Sequence, residues 1–221
     1  MRTLFSNRWL SVALFTVVIA ASASAQVPAI DYLGFGWEDG GLPPSNPGDL
    51  FTFVGVADSA DPMFGVDLGA TELTFYGYDL ISTGEIPIGG GMYMVNFVGG
   101  MLDIYVDGGM DADWGITPPN ATAPSTFGNG TLFFRGEFND FTVFFTAAGS
   151  GSYEGNLNGI EGELIGGVCT GCAYTWGGVF TTGTGAQIPD GYDFQMDGVF
   201  EVDPAIADET ATWSDVKTLY R

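Results

Sequence analysis

Thr131-Leu132-Phe133-Phe134-Arg135-Gly136-Glu137-Phe138-Asn139-Asp140-Phe141-Thr142-Val143-Phe144-Phe145-Thr146 is the stretch that decides the fold class. In its first half Leu132, Phe134 and Phe138 fall on one side and Phe133, Arg135 and Glu137 on the other. Successive side chains of a strand point to opposite faces, so this alternation predicts a strand with one face on a core and one in water. Asn139-Asp140 reads as a two-residue turn into a second run, so 131–146 is predicted to be one hairpin.

Working outward, the same texture recurs. Aromatic and β-branched runs at 50–56, 72–81, 92–98 and 101–106 precede the hairpin, and runs at 152–157, 162–165, 174–180 and 192–202 follow it. Gly, Pro, Asn and Asp separate them. About ten short strands at this spacing predict an all-β chain, either an antiparallel sandwich of jelly-roll type or a barrel. The 35 glycines follow no fixed period, which argues against a collagen-like or solenoid fold. The least strand-like segments are 107–130, with Pro118, Pro119 and Pro124, and the Pro- and Gly-rich 40–48. Long ordered loops are where function concentrates.

The N-terminus reads as an export signal. Arg2 and Arg8 precede an apolar run from Leu10 to Ala20, and Ala23-Ser24-Ala25 before Gln26 matches a signal-peptidase site. The run is short of the ~20 residues that cross a bilayer, so residues 1–25 are expected to be removed and no stable membrane span to remain. The destination is the extracellular space, the cell surface or the periplasm. Cleavage removes two basic residues and no acid, taking the net charge from −22 to −24. Nucleic acid and anionic lipid are bound chiefly through Lys and Arg, so nucleic acid is excluded as a partner. Residues 26–203 are expected to form one domain, and 204–221 a linker and a short helix. In that tail Trp213, Val216 and Tyr220 share a face, while Lys217 and Arg221 lie near the negative end of the helix dipole. It is either packed on the domain or presented as a recognition tag through Trp213, Lys217, Tyr220 and Arg221.

The chain has no histidine, which removes Ser-His-Asp and Cys-His catalysis and His-ligated metals. Cys169-Thr170-Gly171-Cys172 is expected to be a disulfide in an oxidising compartment rather than a redox site. Asp107, Asp111 and Asp113 lie within seven residues that include two glycines. Calcium takes oxygen ligands from such acidic loops, so these three are candidate calcium ligands, the one cofactor the sequence suggests. Trp37, Trp114 and Trp176 fall in or near loops and are candidates for stacking on a sugar, against the alternative that they fill the core. Glycoside hydrolysis needs only two carboxylates and survives the absence of histidine. The expectation is a non-enzymatic structural, surface or matrix component, with a calcium-assisted module for a cell-surface or polysaccharide partner as the alternative.

Gly40-Gly41-Leu42-Pro43-Pro44-Ser45-Asn46-Pro47-Gly48-Asp49, Ile104-Tyr105-Val106-Asp107, Pro124-Ser125-Thr126-Phe127-Gly128-Asn129-Gly130-Thr131 and Ile188-Pro189-Asp190-Gly191-Tyr192-Asp193 resemble segments of a group of uncharacterised secreted bacterial proteins. Their β-rich bodies are similar to those of PEP-CTERM-type surface proteins. The resemblance implies export and a surface or extracellular β domain, and brings no catalytic residues. This chain lacks the P-E-P motif, transmembrane helix and basic cluster that end PEP-CTERM proteins.

Overall fold

A computed structural model describes residues 27–115, 124–165, 171–182 and 188–203. The expected signal peptide, Cys169 and the whole tail, with Trp213, Lys217, Tyr220 and Arg221, lie outside the described residues.

Nine strands follow one another: β1 (Ala29–Glu38), β2 (Leu50–Ala60), β3 (Glu72–Gly89), β4 (Met92–Val98), β5 (Met101–Asp107), β6 (Thr131–Thr146), β7 (Ser150–Glu161), β8 (Ala173–Thr181) and β9 (Phe194–Asp203). Every pairing is antiparallel, and β9 pairs with β1 from Ala29↔Glu201 to Gly36↔Phe194. That pairing closes the sheet, so the molecule is a barrel and the sandwich alternative falls. The barrel has eight positions and nine strands because β4 and β5 lie end to end between β3 and β6. β5 pairs with the first half of each neighbour and β4 with the second. Gly99 and Gly100, with φ of 68° and 96°, make the break between them.

The interior of an eight-stranded barrel is just wide enough to be filled by side chains. Here it is filled with rings. Tyr32 stacks on Trp176 at 3.9 Å, Phe53 on Trp176 at 5.2 Å and Phe51 on Phe194 at 5.4 Å. The hydroxyls of Tyr32 and Tyr153 bond to each other at the centre. Glycines face inward opposite the largest rings. A Cβ at Gly77 would stand 2.1 Å from the Phe53 ring, and one at Gly36 would stand 2.6 Å from Phe194. The alternation of no side chain with a large one is what lets so many rings fit.

Three expectations need correction. Asn139-Asp140 does not turn: β6 runs straight through it with a bulge between Phe138 and Asp140. A two-residue hairpin needs left-handed backbone, and neither residue has a positive φ. The bulge brings both Phe138 and Phe141 inward, while Asn139 pairs with Asn158 and Asp140 accepts from Asn156 at 2.9 Å. Second, Phe133 is not on the wet face. It falls at a bulge opposite Ile104/Tyr105 and is buried, its ring edge-on to Phe64. Third, 162–165 is not a strand, because the chain leaves the sheet at Gly162 (φ 121°).

Outward positions on β6 to β9 include Asn139, Asp140, Glu154, Asn156, Asn158 and Glu201. Exposed apolar residues, among them Ile81, Ile86, Val98, Ile160 and Val179, also lie on the surface of the barrel. No helix among the described residues is long and apolar enough to cross a membrane.

Candidate functional site

The described parts of the long segment, 108–115 after β5 and 124–130 before β6, pack on the outer face of β1, β2 and β3. Its root is acidic. Glu72 opens β3 and Asp107 ends β5, and the two are register partners across the sheet. One oxygen from each of Glu72, Asp107 and Asp111 lies within 4.8 Å of the others. Backbone N–H groups hold the set in place: Ala112 donates to Glu72 Oε1 at 2.9 Å and Gly109 to Asp107 Oδ1 at 2.8 Å. The Asn129 amide donates to Asp111 Oδ1 at 3.0 Å. Asp107 Oδ2 is buried with no protein partner. Partial burial, together with the Asp107 and Asp111 charges, pushes the Glu72 carboxyl up from its ordinary value.

Asp107 and Asp111 are therefore brought together, while Asp113 is not. Its Oδ1 accepts from Gly115 N–H at 2.9 Å, and its own N–H donates to Thr126 Oγ1 at 3.0 Å. Glu72 takes its place. No local motif links Glu72 to Asp107, and only the β3–β5 register shows the pair. Three carboxylate oxygens so placed suit a hard cation such as calcium. Among the described residues no positive group lies there, since Arg135 is the only Lys or Arg between residues 27 and 203 and is bound to Asp103 and Glu161.

Above this root the loop packs through aromatic rings. Trp114 meets Phe35 edge-on at 4.9 Å and Phe127 at 4.9 Å, while Tyr192 meets Phe35 and Trp37, each at 5.4 Å. Thr74 Oγ donates to the Phe127 carbonyl at 2.9 Å, pinning the short 3-10 turn Ser125–Phe127 to β3. Trp37 and Trp114 are partly exposed at this outer patch. Trp176 is not part of any platform: it is 0% exposed at the barrel centre, so its assignment to sugar stacking is corrected. Cys172 borders a shallow outer cleft with Asn139, Asn156 and Asn158, and no free cysteine occurs among the described residues. Its predicted partner Cys169 lies outside them.

A second acidic group sits at the barrel mouth. Glu38 faces inward at the end of β1 and is 4% exposed. Ser45 Oγ donates to Glu38 Oε1 at 2.5 Å, and Glu38 N–H donates to Asp193 Oδ2 at 2.8 Å. Burial pushes the Glu38 carboxyl up to about 7, the charges of Asp49, Asp193 and Glu85 adding to it, and burial also raises Asp193. Segment 39–49 roofs this pair, which denies a polymer access to it. Comparison with family models, curated proteins and solved structures finds no match for this chain.

Proposed function

We propose that this chain is an exported, non-enzymatic β-barrel domain of a bacterial cell surface or extracellular matrix, with calcium at Glu72, Asp107 and Asp111 fixing the long loop to its outer face. The observation that carries it is the convergence of those three carboxylates at the loop's root. The filled interior supports it from the other side, because binding is then left to the outer surface. So does the balance of charge, which repels nucleic acid and draws divalent cations. The N-terminal signal pattern and the resemblance to secreted β-rich proteins supply the location.

The test is a melting curve of the mature domain with calcium and with EDTA. A ligand that binds only the folded state raises stability, by about 2.7 kcal/mol at a hundred times its dissociation constant. A calcium-dependent rise is expected, and superimposable curves would remove the calcium part of the reading.

A second reading is favoured by one observation: Trp37 and Trp114, distant in sequence, share one partly exposed aromatic patch beside the calcium root. Such a patch suits the apolar face of a polysaccharide unit. Glycan binding that vanishes in both Trp37→Ala and Trp114→Ala would establish it. A glycan panel that leaves the melting point unmoved would remove it.

A further inference from the structure

β7 runs on to Glu161, but its pairing with β8 stops at Leu157↔Tyr174. Among the described residues no strand covers the β8 side of 158–161. At this split the barrel wall opens into a cleft of about 560 Å³. That volume lies in the roughly 300–1,000 Å³ range of sites that hold a ligand. Leu157, Ile165 and Tyr174 give the cleft apolar walls, and the exposed amides of Asn139, Asn156 and Asn158 line it as well. An uncovered strand edge is a template for a further chain, and folded proteins cover or blunt it. Ile160 on this edge is 52% exposed.

The last described residue, Asp203, is the register partner of Ala173, and Ala173 borders the cleft. Residues 204–221 follow, with Lys217 and Arg221 the only basic residues after Arg135. The surface beside them is acidic. Asp140 holds the Asn156 amide at 2.9 and 3.2 Å, and Asn156 also borders an adjoining groove that carries Glu154 and Glu201. Arg135, the single cation of the described residues, is held by Asp103 and Glu161. In the helix that the sequence predicts for the tail, Trp213, Val216 and Tyr220 share a face. Reach is sufficient, since the eight residues 204–211 extend up to about 28 Å. β7 lies two strand spacings, about 10 Å, from β9. So short a tether favours the cleft of the same molecule, presenting the tail at an effective concentration on the order of millimolar.

We propose that residues 212–221 dock in the cleft between β7 and β8 of their own molecule, with Trp213 between Leu157, Ile165 and Tyr174, and with Lys217 and Arg221 facing Asp140, Glu154 and Glu201. The indole buries apolar surface, and the amides offer an acceptor to its N–H. The two cations meet a wall whose ionised groups are otherwise acids. Docked in this way, the tail covers the open edge of β7 and belongs to the domain instead of being displayed as an address. The dock shares no residue with the calcium root or with the Trp37 and Trp114 patch, so the failure of one leaves the others untouched.

The test uses residues 26–221 carrying 5-fluorotryptophan at Trp37, Trp114, Trp176 and Trp213, with the Trp213 signal assigned through Trp213→Phe. A gadolinium chelate in solution broadens the fluorine signals of exposed indoles. In wild type the Trp213 signal should resist broadening as the signal of Trp176 does, which is 0% exposed. Ala173→Arg places a bulky cation in the cleft and should abolish that protection. Val179→Arg makes the same change of charge on the same strand, at a residue 57% exposed and outside the cleft, and should leave Trp213 protected. Replacing both Lys217→Glu and Arg221→Glu should weaken the protection. The Trp176 signal reports an intact barrel in each variant, and where Ala173→Arg disturbs it, Asn139→Arg on the facing wall serves. A Trp213 signal broadened in wild type, or equal behaviour of Ala173→Arg and Val179→Arg, would overturn the proposal. Protection that fades on dilution would overturn it too, by placing the tail on a second molecule.

Discussion

Arg135 and Asp103 stand directly opposite one another on β6 and β5, outside the barrel, and the guanidinium grips the carboxylate with two bonds of 2.7 Å. Tyr105 OH donates to the same carboxylate at 2.8 Å, and Tyr78 OH at 3.4 Å. Asp103 is 2% exposed, so its charge is tolerable only because the one cation of this region is spent on it. Arg135 also reaches Glu161 at 2.6 Å, but that carboxylate lies in water.

Removing Arg135 should therefore hurt far more than removing Glu161. Arg135→Ala strands a buried carboxylate and is expected to lower the unfolding free energy by about 3 kcal/mol. Glu161→Ala should stay within about 1 kcal/mol, as exposed pairs do. Urea unfolding of the two variants checks this, and equal losses would mean that the Asp103 site is not desolvated as described.

The inward glycines give a second prediction. Gly77→Ala forces a methyl to within 2.1 Å of the Phe53 ring and is expected to destabilise by about 2 kcal/mol or more. Gly108→Ala, with nothing within 4 Å, should stay within about 0.5 kcal/mol. Similar melting points for the two variants would show that the ring packing at Phe53 can yield.

Much of the fold was legible because exposure alternates along most strands; β4 has the expected extent and β5 runs one residue beyond it, to Asp107. What was hidden follows from the same glycines. β1 was not among the expected runs: glycines at 34 and 36 interrupt its apolar residues, and Gly36 leaves room for the Phe194 and Phe51 rings inside the barrel. Phe35, on the outer face of β1, is also covered, so only Asp31 on that face is fully exposed. The bulge at Asn139-Asp140 mimics a hairpin because both kinds of site favour short polar residues. At the candidate site, Asp107 and Asp111 were visible as a local acidic run. Glu72 was not, since it joins them through strand register alone.

Stability should fall as pH rises through neutrality. Glu38 has a higher pKa folded, about 7, than its ordinary 4.5, so the fold holds its proton more tightly than the unfolded chain does. Its contribution, on the order of 3 kcal/mol, is complete below about pH 4.5 and lost as the pH climbs through 7. Glu72 and Asp193 are raised too and act in the same direction. Urea midpoints at about pH 5 and about pH 8 measure the loss, and Glu38→Gln should flatten it. A midpoint that rises over this window would contradict the burial of Glu38.

Calcium binding by single variants of the loop root tests the central claim most directly. Titration calorimetry of residues 26–221 should detect calcium in wild type and in Asp113→Asn, whose side chain serves only its own loop. Asp107→Asn and Asp111→Asn should each lose the binding, because each removes a charge from the converging set. Calcium binding that is absent from wild type, or that survives equally in all three variants, would contradict the account.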